Sequence, residues 1–244
     1  MSNLVAMIER PSLRNPILIE GLPGIGFVAN IVALHLIGEL KAKKFCEIYS
    51  SDFQAFALIG EGGFARPPMN ELYYCQNPSL LRDLIVLYGN TQALSSLGQY
   101  ELCEQILDLA ETLGCRLIIT VGGLRRDYVP AAPKLYVAAT DVETLNEATA
   151  LGANVIQGRI FGAAGLLIGL AKLRKMKGFC LLSETSGFYP DPHAAKVTLA
   201  FLAKFLKLDI NLSRLNSAVE ATERMLSHFA PTERRRKPEF PRFI

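Results

Sequence analysis

The chain has 244 residues, half of them hydrophobic and a fifth charged, which suits a large α/β domain and excludes a disordered or collagen-like polymer. Five cysteines with no CxxC spacing form no disulfide framework and read as reduced thiols of a cytosolic protein. The net charge of +3 sits in the last fourteen residues, where five basic side chains face two acidic ones, so the body has no global attraction for nucleic acid or an anionic membrane.

The first residues lack a basic stretch followed by a long apolar run, so no signal peptide is read. Neither apolar window, Ile25–Leu40 or Ile160–Ala171, comfortably spans a bilayer. Pro16–Glu20 (PILIE) predicts a buried strand, then a Gly/Pro turn and a helix over Phe27–Leu40. Lys44–Tyr49 and Phe56–Gly60 are strand candidates, Gly62–Asn70 with Pro67-Pro68 is a loop, and Glu71–Cys75 is expected to pair with one of those strands. Leu84–Tyr88 is a strong strand. Ser96-Leu-Gly-Gln99 has capping-box spacing and opens a helix that Gly114 closes. Arg116–Val121 is the next strand, ended by Gly122-Gly123, and Lys134–Ala139 follows. Thr140 and Glu143 form a second capping box for a helix to Leu151. Ile160–Leu173 reads as a helix, Phe179–Ser183 as a strand and Pro192–Leu206 as a helix.

Strands LIVLY, RLIITV and FCLLS are continuous apolar runs, which predicts a mostly parallel sheet covered on both faces by helices. A last helix over Leu212–Phe229 spaces Leu212, Leu215, Val219, Thr222, Leu226 and Phe229 by threes and fours. Under three heptads favours docking on the domain over a self-association seam. Residues 1–230 thus read as one domain, and 231–244, with three prolines and four consecutive basic residues, as a mobile tail.

Four constellations bear on chemistry. Gly24-Ile-Gly26-Phe-Val-Ala29 has the form of a dinucleotide fingerprint, with Glu47 about twenty residues on. Pro23 before the first glycine and the charge of Glu20 argue against a phosphate there, and a tight strand-to-helix turn is the favoured reading. Glu184, Asp191 and His193 follow a strand end, where open α/β sheets form crevices, and offer an acid/base or metal cluster. Against this, Asp191-Pro192 is an ordinary helix start, an N-cap followed by proline. No G-x-S-x-G and no Cys/His arrangement occurs. His35 reads as a core position, His228 as a helix C-terminal cation and Cys180 as a small core residue. No metal spacing and no cofactor is indicated. Finally, Phe243 and the Ile244 carboxylate suit capture by a pocket with a cation and an apolar slot. Arg234–Lys237 offers RNA a weak contact, but no aromatic platform accompanies it.

Glu20-Gly-Leu-Pro-Gly24-Ile-Gly26, Gly122-Gly123, Gly162-Ala-Ala-Gly165-Leu-Leu and Ser183-Glu184-Thr-Ser-Gly-Phe-Tyr-Pro-Asp191-Pro-His-Ala-Ala195 together, in this order, resemble the PAC2 family, the proteasome assembly chaperone 2 group, and especially its archaeal members, over about residues 1–230. The resemblance implies a three-layer α/β/α domain similar to the phosphorylase/hydrolase-like fold of nucleoside phosphorylases, without their catalytic residues. It also implies prokaryotic homo-oligomers, and in eukaryotes a heterodimeric chaperone of the proteasome α-ring. Some archaeal relatives carry a C-terminal hydrophobic–Tyr–X motif that docks between α subunits, its carboxylate meeting a pocket lysine. The matching positions are Arg242, Phe243 and Ile244, where Phe243 lacks the hydroxyl and Arg242 is not hydrophobic.

The expectation is therefore a cytoplasmic, non-catalytic homo-oligomer that docks on proteasome α subunits through its tail. The rival is an enzyme or small-molecule binder for a nucleotide, nucleoside or acidic metabolite. Its crevice would lie between Glu20, the Pro23–Gly26 turn, Gly122-Gly123 and the Glu184–His193 loop, with Glu184 and Asp191 as acid/base candidates.

Overall fold

The computed structural model describes residues 3–76, 82–213 and 215–220. The tail positions Arg242, Phe243 and Ile244, and the second half of the expected 212–229 helix, lie outside them. Nine strands build one sheet: β1 (Leu4–Met7), β2 (Ile17–Gly21), β3 (Lys43–Tyr49), β6 (Asn70–Cys75), β7 (Leu84–Gly89), β8 (Leu117–Arg125), β9 (Leu135–Ala139), β10 (Asn154–Val155) and β11 (Lys177–Thr185). Strands β4 (Leu58–Ile59) and β5 (Ala65–Arg66) form a separate hairpin. The α-helices lying wholly within the described residues are α1 (Val28–Glu39), α2 (Ser96–Thr112), α3 (Val142–Ala150), α4 (Gly162–Leu173) and α5 (Pro192–Leu206), and residues 215–220 are helical as well.

The order across the sheet is β1-β3-β6-β7-β2-β8-β11-β9-β10. The four central strands, β7, β2, β8 and β11, run parallel. Around them β1, β3 and β6 pair antiparallel, as does β9 against β11, and only β10 adds a parallel pair at the far edge. The expected mostly parallel sheet is thus corrected to an evenly mixed one. Continuous apolar runs do mark the parallel centre, because those strands are covered on both faces. They are silent about β3, whose burial is patchy, and about the direction of β9.

Alternation along each strand splits the core in two. Ile17, Ile19, Ile119, Phe179 and Leu181 pack under α1, α3 and α5. Leu18, Ile85, Ile118, Cys180 and Leu182 pack under α2 and α4. On the first face Phe179 meets Phe205 edge-on at 4.9 Å between ring centroids, a pairing that adds about 0.5–1.5 kcal/mol beyond its area. The result is the expected three layers, with both sheet faces covered.

Two helix starts shift by one residue from the sequence reading. Ser95, not Ser96, caps α2 by accepting the Gly98 N–H at 3.0 Å. Asp141, not Thr140, caps α3, its Oδ1 accepting the Thr144 N–H at 2.9 Å. Thr140 instead accepts the Gly178 N–H, tying α3 to β11. The Phe56–Gly60 strand shrinks to β4, which pairs with β5 inside the expected loop, and the edge strand β1 was not anticipated. Glu71–Cys75 does pair with the Lys44–Tyr49 segment, through β6 and β3.

Candidate functional site

Because β7, β2, β8 and β11 run parallel, their carboxyl ends share one edge of the sheet, where α/β proteins usually gather ligands. The Pro23–Gly26 turn, Gly122-Gly123 and the 184–191 loop all come to that edge. Gly26 sits at φ +64°, a left-handed conformation that favours glycine. A Cβ there would lie 2.7 Å from Thr185 Oγ1. A Cβ on Gly123 would run into the Ile25 carbonyl oxygen, and the Gly26 carbonyl accepts the Asp191 N–H at 2.9 Å. The glycines therefore admit neighbouring backbone to β8 and β11. Of the glycines at 24, 26, 122 and 123, Gly24 is the one that faces open space.

Asp191 is the N-cap of α5, as its sequence context predicts. Its Oδ1 accepts the Ala194 N–H at 2.9 Å, and its Oδ2 accepts the Thr185 hydroxyl at 2.7 Å. Glu184, one residue before Thr185, points to the opposite sheet face by strand alternation. There it meets Arg126 at 2.8–2.9 Å, the Tyr136 hydroxyl at 3.1 Å and the Lys134 N–H at 3.1 Å. Burial pushes its carboxyl upward, but these donors hold it below the usual carboxylate range. Arg126 also lies over the Tyr136 ring, 5.3 Å from its centroid. The two acid/base candidates therefore occupy opposite faces, one engaged as a cap and the other in an ion pair. His193 falls in the first turn of α5, and no cluster of metal-ligating side chains occurs among the described residues.

Glu20 lies at the end of β2 on the α2/α4 face, 1 % exposed. Its Oε1 accepts the Leu22 N–H at 2.8 Å, while Oε2 is buried with no hydrogen-bond partner. Burial raises its pKa from 4.5 to about 8, so the group is mostly neutral at pH 7 and opposes no phosphate. The buried thiols of Cys103 and Cys180 are pushed up to about 12, by burial first and by Glu20 to a lesser degree. They are poor nucleophiles.

Sequence reasoning missed a groove of about 510 Å³ between the amino-terminal halves of α2 and α4, walled by Leu94, Tyr100, Phe161, Gly162, Gly165 and Gly169. Gln92 organises its floor. Its Nε2 donates to the Pro23 carbonyl at 2.6 Å, and its Oε1 accepts from Ala163 N–H at 2.9 Å and Gln99 Nε2 at 3.2 Å. The one available signal was the spacing of Gly162, Gly165 and Gly169 along α4, which leaves a shallow helix face.

A model of the PAC2 family matches residues 18–230. An uncharacterised Methanocaldococcus jannaschii protein is 37% identical over 217 residues, covering 88% of this chain and 83% of its own length. The crystal structure of Pyrococcus furiosus PbaB, an archaeal proteasome activator, superposes with a TM-score of 0.89 at 38% identity, over 93% of this chain and 98% of that one. Pyrococcus furiosus PbaA, an archaeal homolog of proteasome-assembly chaperone, follows with a TM-score of 0.77 at 26% identity, over 92% and 91%.

Proposed function

From the premise that this chain belongs to the PAC2 family, we propose that it is a cytoplasmic, non-catalytic homo-oligomer that binds the proteasome α-ring through its C-terminal tail. The observation that carries this reading is the likeness to the archaeal proteasome activator PbaB, 38% identical over nearly the whole of both chains. The engaged state of Glu184 and Asp191 supports a binding role over catalysis, since each carboxylate already serves the fold. In the proposed mechanism the body oligomerises and presents Phe243 and Ile244 to a pocket on the ring. Burying one such aromatic side chain contributes about 1.5–3 kcal/mol, so a single tail binds weakly. Several tails on one oligomer raise avidity without new contacts.

The rival small-molecule reading draws on the crevice at the strand carboxyl ends, between the Pro23–Gly26 turn, Gly122-Gly123 and the Glu184–His193 loop. It has less support, because the space beside Gly26 and Gly123 is taken by Thr185 and the Ile25 carbonyl. The test is a pull-down of the source lysate with full-length protein and with a copy lacking Arg242–Ile244. Proteasome α subunits are expected only with the full-length protein. Equal capture by the truncated copy removes the tail from the mechanism, and no ring subunits with either protein removes the ring. In the latter case a thermal-shift screen against nucleotides and nucleosides becomes decisive, since a ligand at a hundred times its Kd adds about 2.7 kcal/mol.

A further inference from the structure

Two surface features lie beside the strand-end junction, the second tied to it by the Gln92–Pro23 hydrogen bond. One is the β4–β5 hairpin, a ladder of only two rungs, Leu58–Arg66 and Ile59–Ala65, separate from the large sheet. Its glycine turn holds Phe64 80 % exposed, with Ile59 at 65 % and Phe56 at 39 %. A hairpin this short is not stable in water unaided. The other feature is the α2–α4 groove, whose lining contains no charged side chain. On its walls Leu94 is 67 %, Tyr100 52 % and Phe161 83 % exposed. The two are linked through Asp52. Its carbonyl accepts the Leu94 N–H at 3.0 Å and its Oδ2 accepts the Ser95 N–H at 2.8 Å. The loop leading to the hairpin is thus pinned at the mouth of the groove.

We infer that hairpin and groove meet between two copies of this chain, Phe64 and Ile59 of each copy entering the α2–α4 groove of the other. A projecting apolar tip and an uncharged hollow, where Leu94, Ile160, Phe161 and Leu166 stand beside Gln92, Ser95 and Gln99, complement each other on one chain, and their linkage at Asp52 suits a reciprocal contact about a two-fold axis. The area is adequate. At roughly 200 Å² for each large side chain, the six exposed residues offer about 770 Å² on each copy, close to the roughly 800 Å² that each partner buries in a stable interface. The absence of charge in the groove lining matches the charge-poor centre of protein interfaces. This inference deepens the oligomer named in the proposed function and is independent of the tail.

The test measures the mass of the full-length protein by light scattering after size exclusion, beside Phe64→Glu, Phe161→Glu and, as a control on the strand-end rim, Phe188→Glu. The expected result is a halved mass for the first two and an unchanged mass for the control, with thermal melts alike because all three positions are exposed. In parallel, Phe64→Cys copies mixed with Leu94→Cys copies and a short thiol crosslinker are expected to give a covalent pair that neither gives alone. An oligomer whose mass neither glutamate variant changes overturns the inference, as does a change with only one of them. A monomeric wild type that still captures the ring also overturns it and leaves the tail reading standing. An oligomer that captures no ring leaves this contact standing and removes the other.

Discussion

The carboxyl of Glu20, with one hydrogen bond, one unpartnered oxygen and 1 % exposure, is tolerable in the core only while it keeps its proton. Its pKa of about 8 in the folded chain compares with an ordinary 4.5. Between those values the unfolded chain releases a proton that the folded chain retains. Stability therefore falls as pH rises through that window, by about 1.4 kcal/mol per pH unit from this group, and levels off above pH 8. Glu20→Gln stays neutral throughout. Its urea unfolding midpoint is expected to change less than that of the wild type between pH 5 and 8, and to exceed it most at pH 8. Parallel curves for the two proteins would exclude Glu20 as the source of the dependence.

At the level of the elements, Asp191 joins three of them: it caps α5, holds the Thr185 hydroxyl at the end of β11, and its N–H donates to Gly26 in the turn before α1. Asp191→Ala removes a cap worth about 0.5–2 kcal/mol and takes the acceptor from the buried Thr185 O–H, whose oxygen keeps the Gly187 N–H, a loss worth about 1–3 kcal/mol more. Chemical denaturation is expected to show a loss of about 2–4 kcal/mol, and Thr185→Val is expected to cost less in the Asp191→Ala background than in the wild type. Strictly additive losses would mean that the two side chains act independently. The start of α5 was legible because Asp-Pro is a local signal, whereas the caps of α2 and α3 were displaced by one residue because Ser95 and Ser96, like Thr140 and Asp141, offer adjacent competent oxygens. Gly122-Gly123, expected to end its strand, lies inside β8 and pairs with Leu182 and Ser183, whereas the glycine at 26 was legible as a turn residue. What fills the space beside them was not, since Thr185 and Ile25 reach them only through the tertiary fold. The groove was hidden for the same reason, being made by α2 and α4 jointly.

For the whole molecule, the parallel centre could be read from three apolar runs, but the antiparallel flanks could not. β1, four residues long and half exposed, lacks the hydrophobic pattern of a core strand, and its place is set by pairing with β3. Deleting residues 1–8 is expected to leave the fold intact, lower the denaturation midpoint and increase light scattering at micromolar concentration, because the bare edge of β3 becomes a template for other chains. Unchanged scattering would show that the remaining edge is already protected. The strand order carries a further consequence for biosynthesis. β2, the first central strand made, sits between β7 and β8, and Ile17 pairs with Leu84 on one side and Leu117 on the other. A ribosome adding about 5–20 residues per second delivers the second of those neighbours roughly 5–20 s after the first strand has emerged. Until then the nascent chain holds its central apolar strand with at least one of its two neighbours missing, and the domain closes only after most of the polypeptide has been translated.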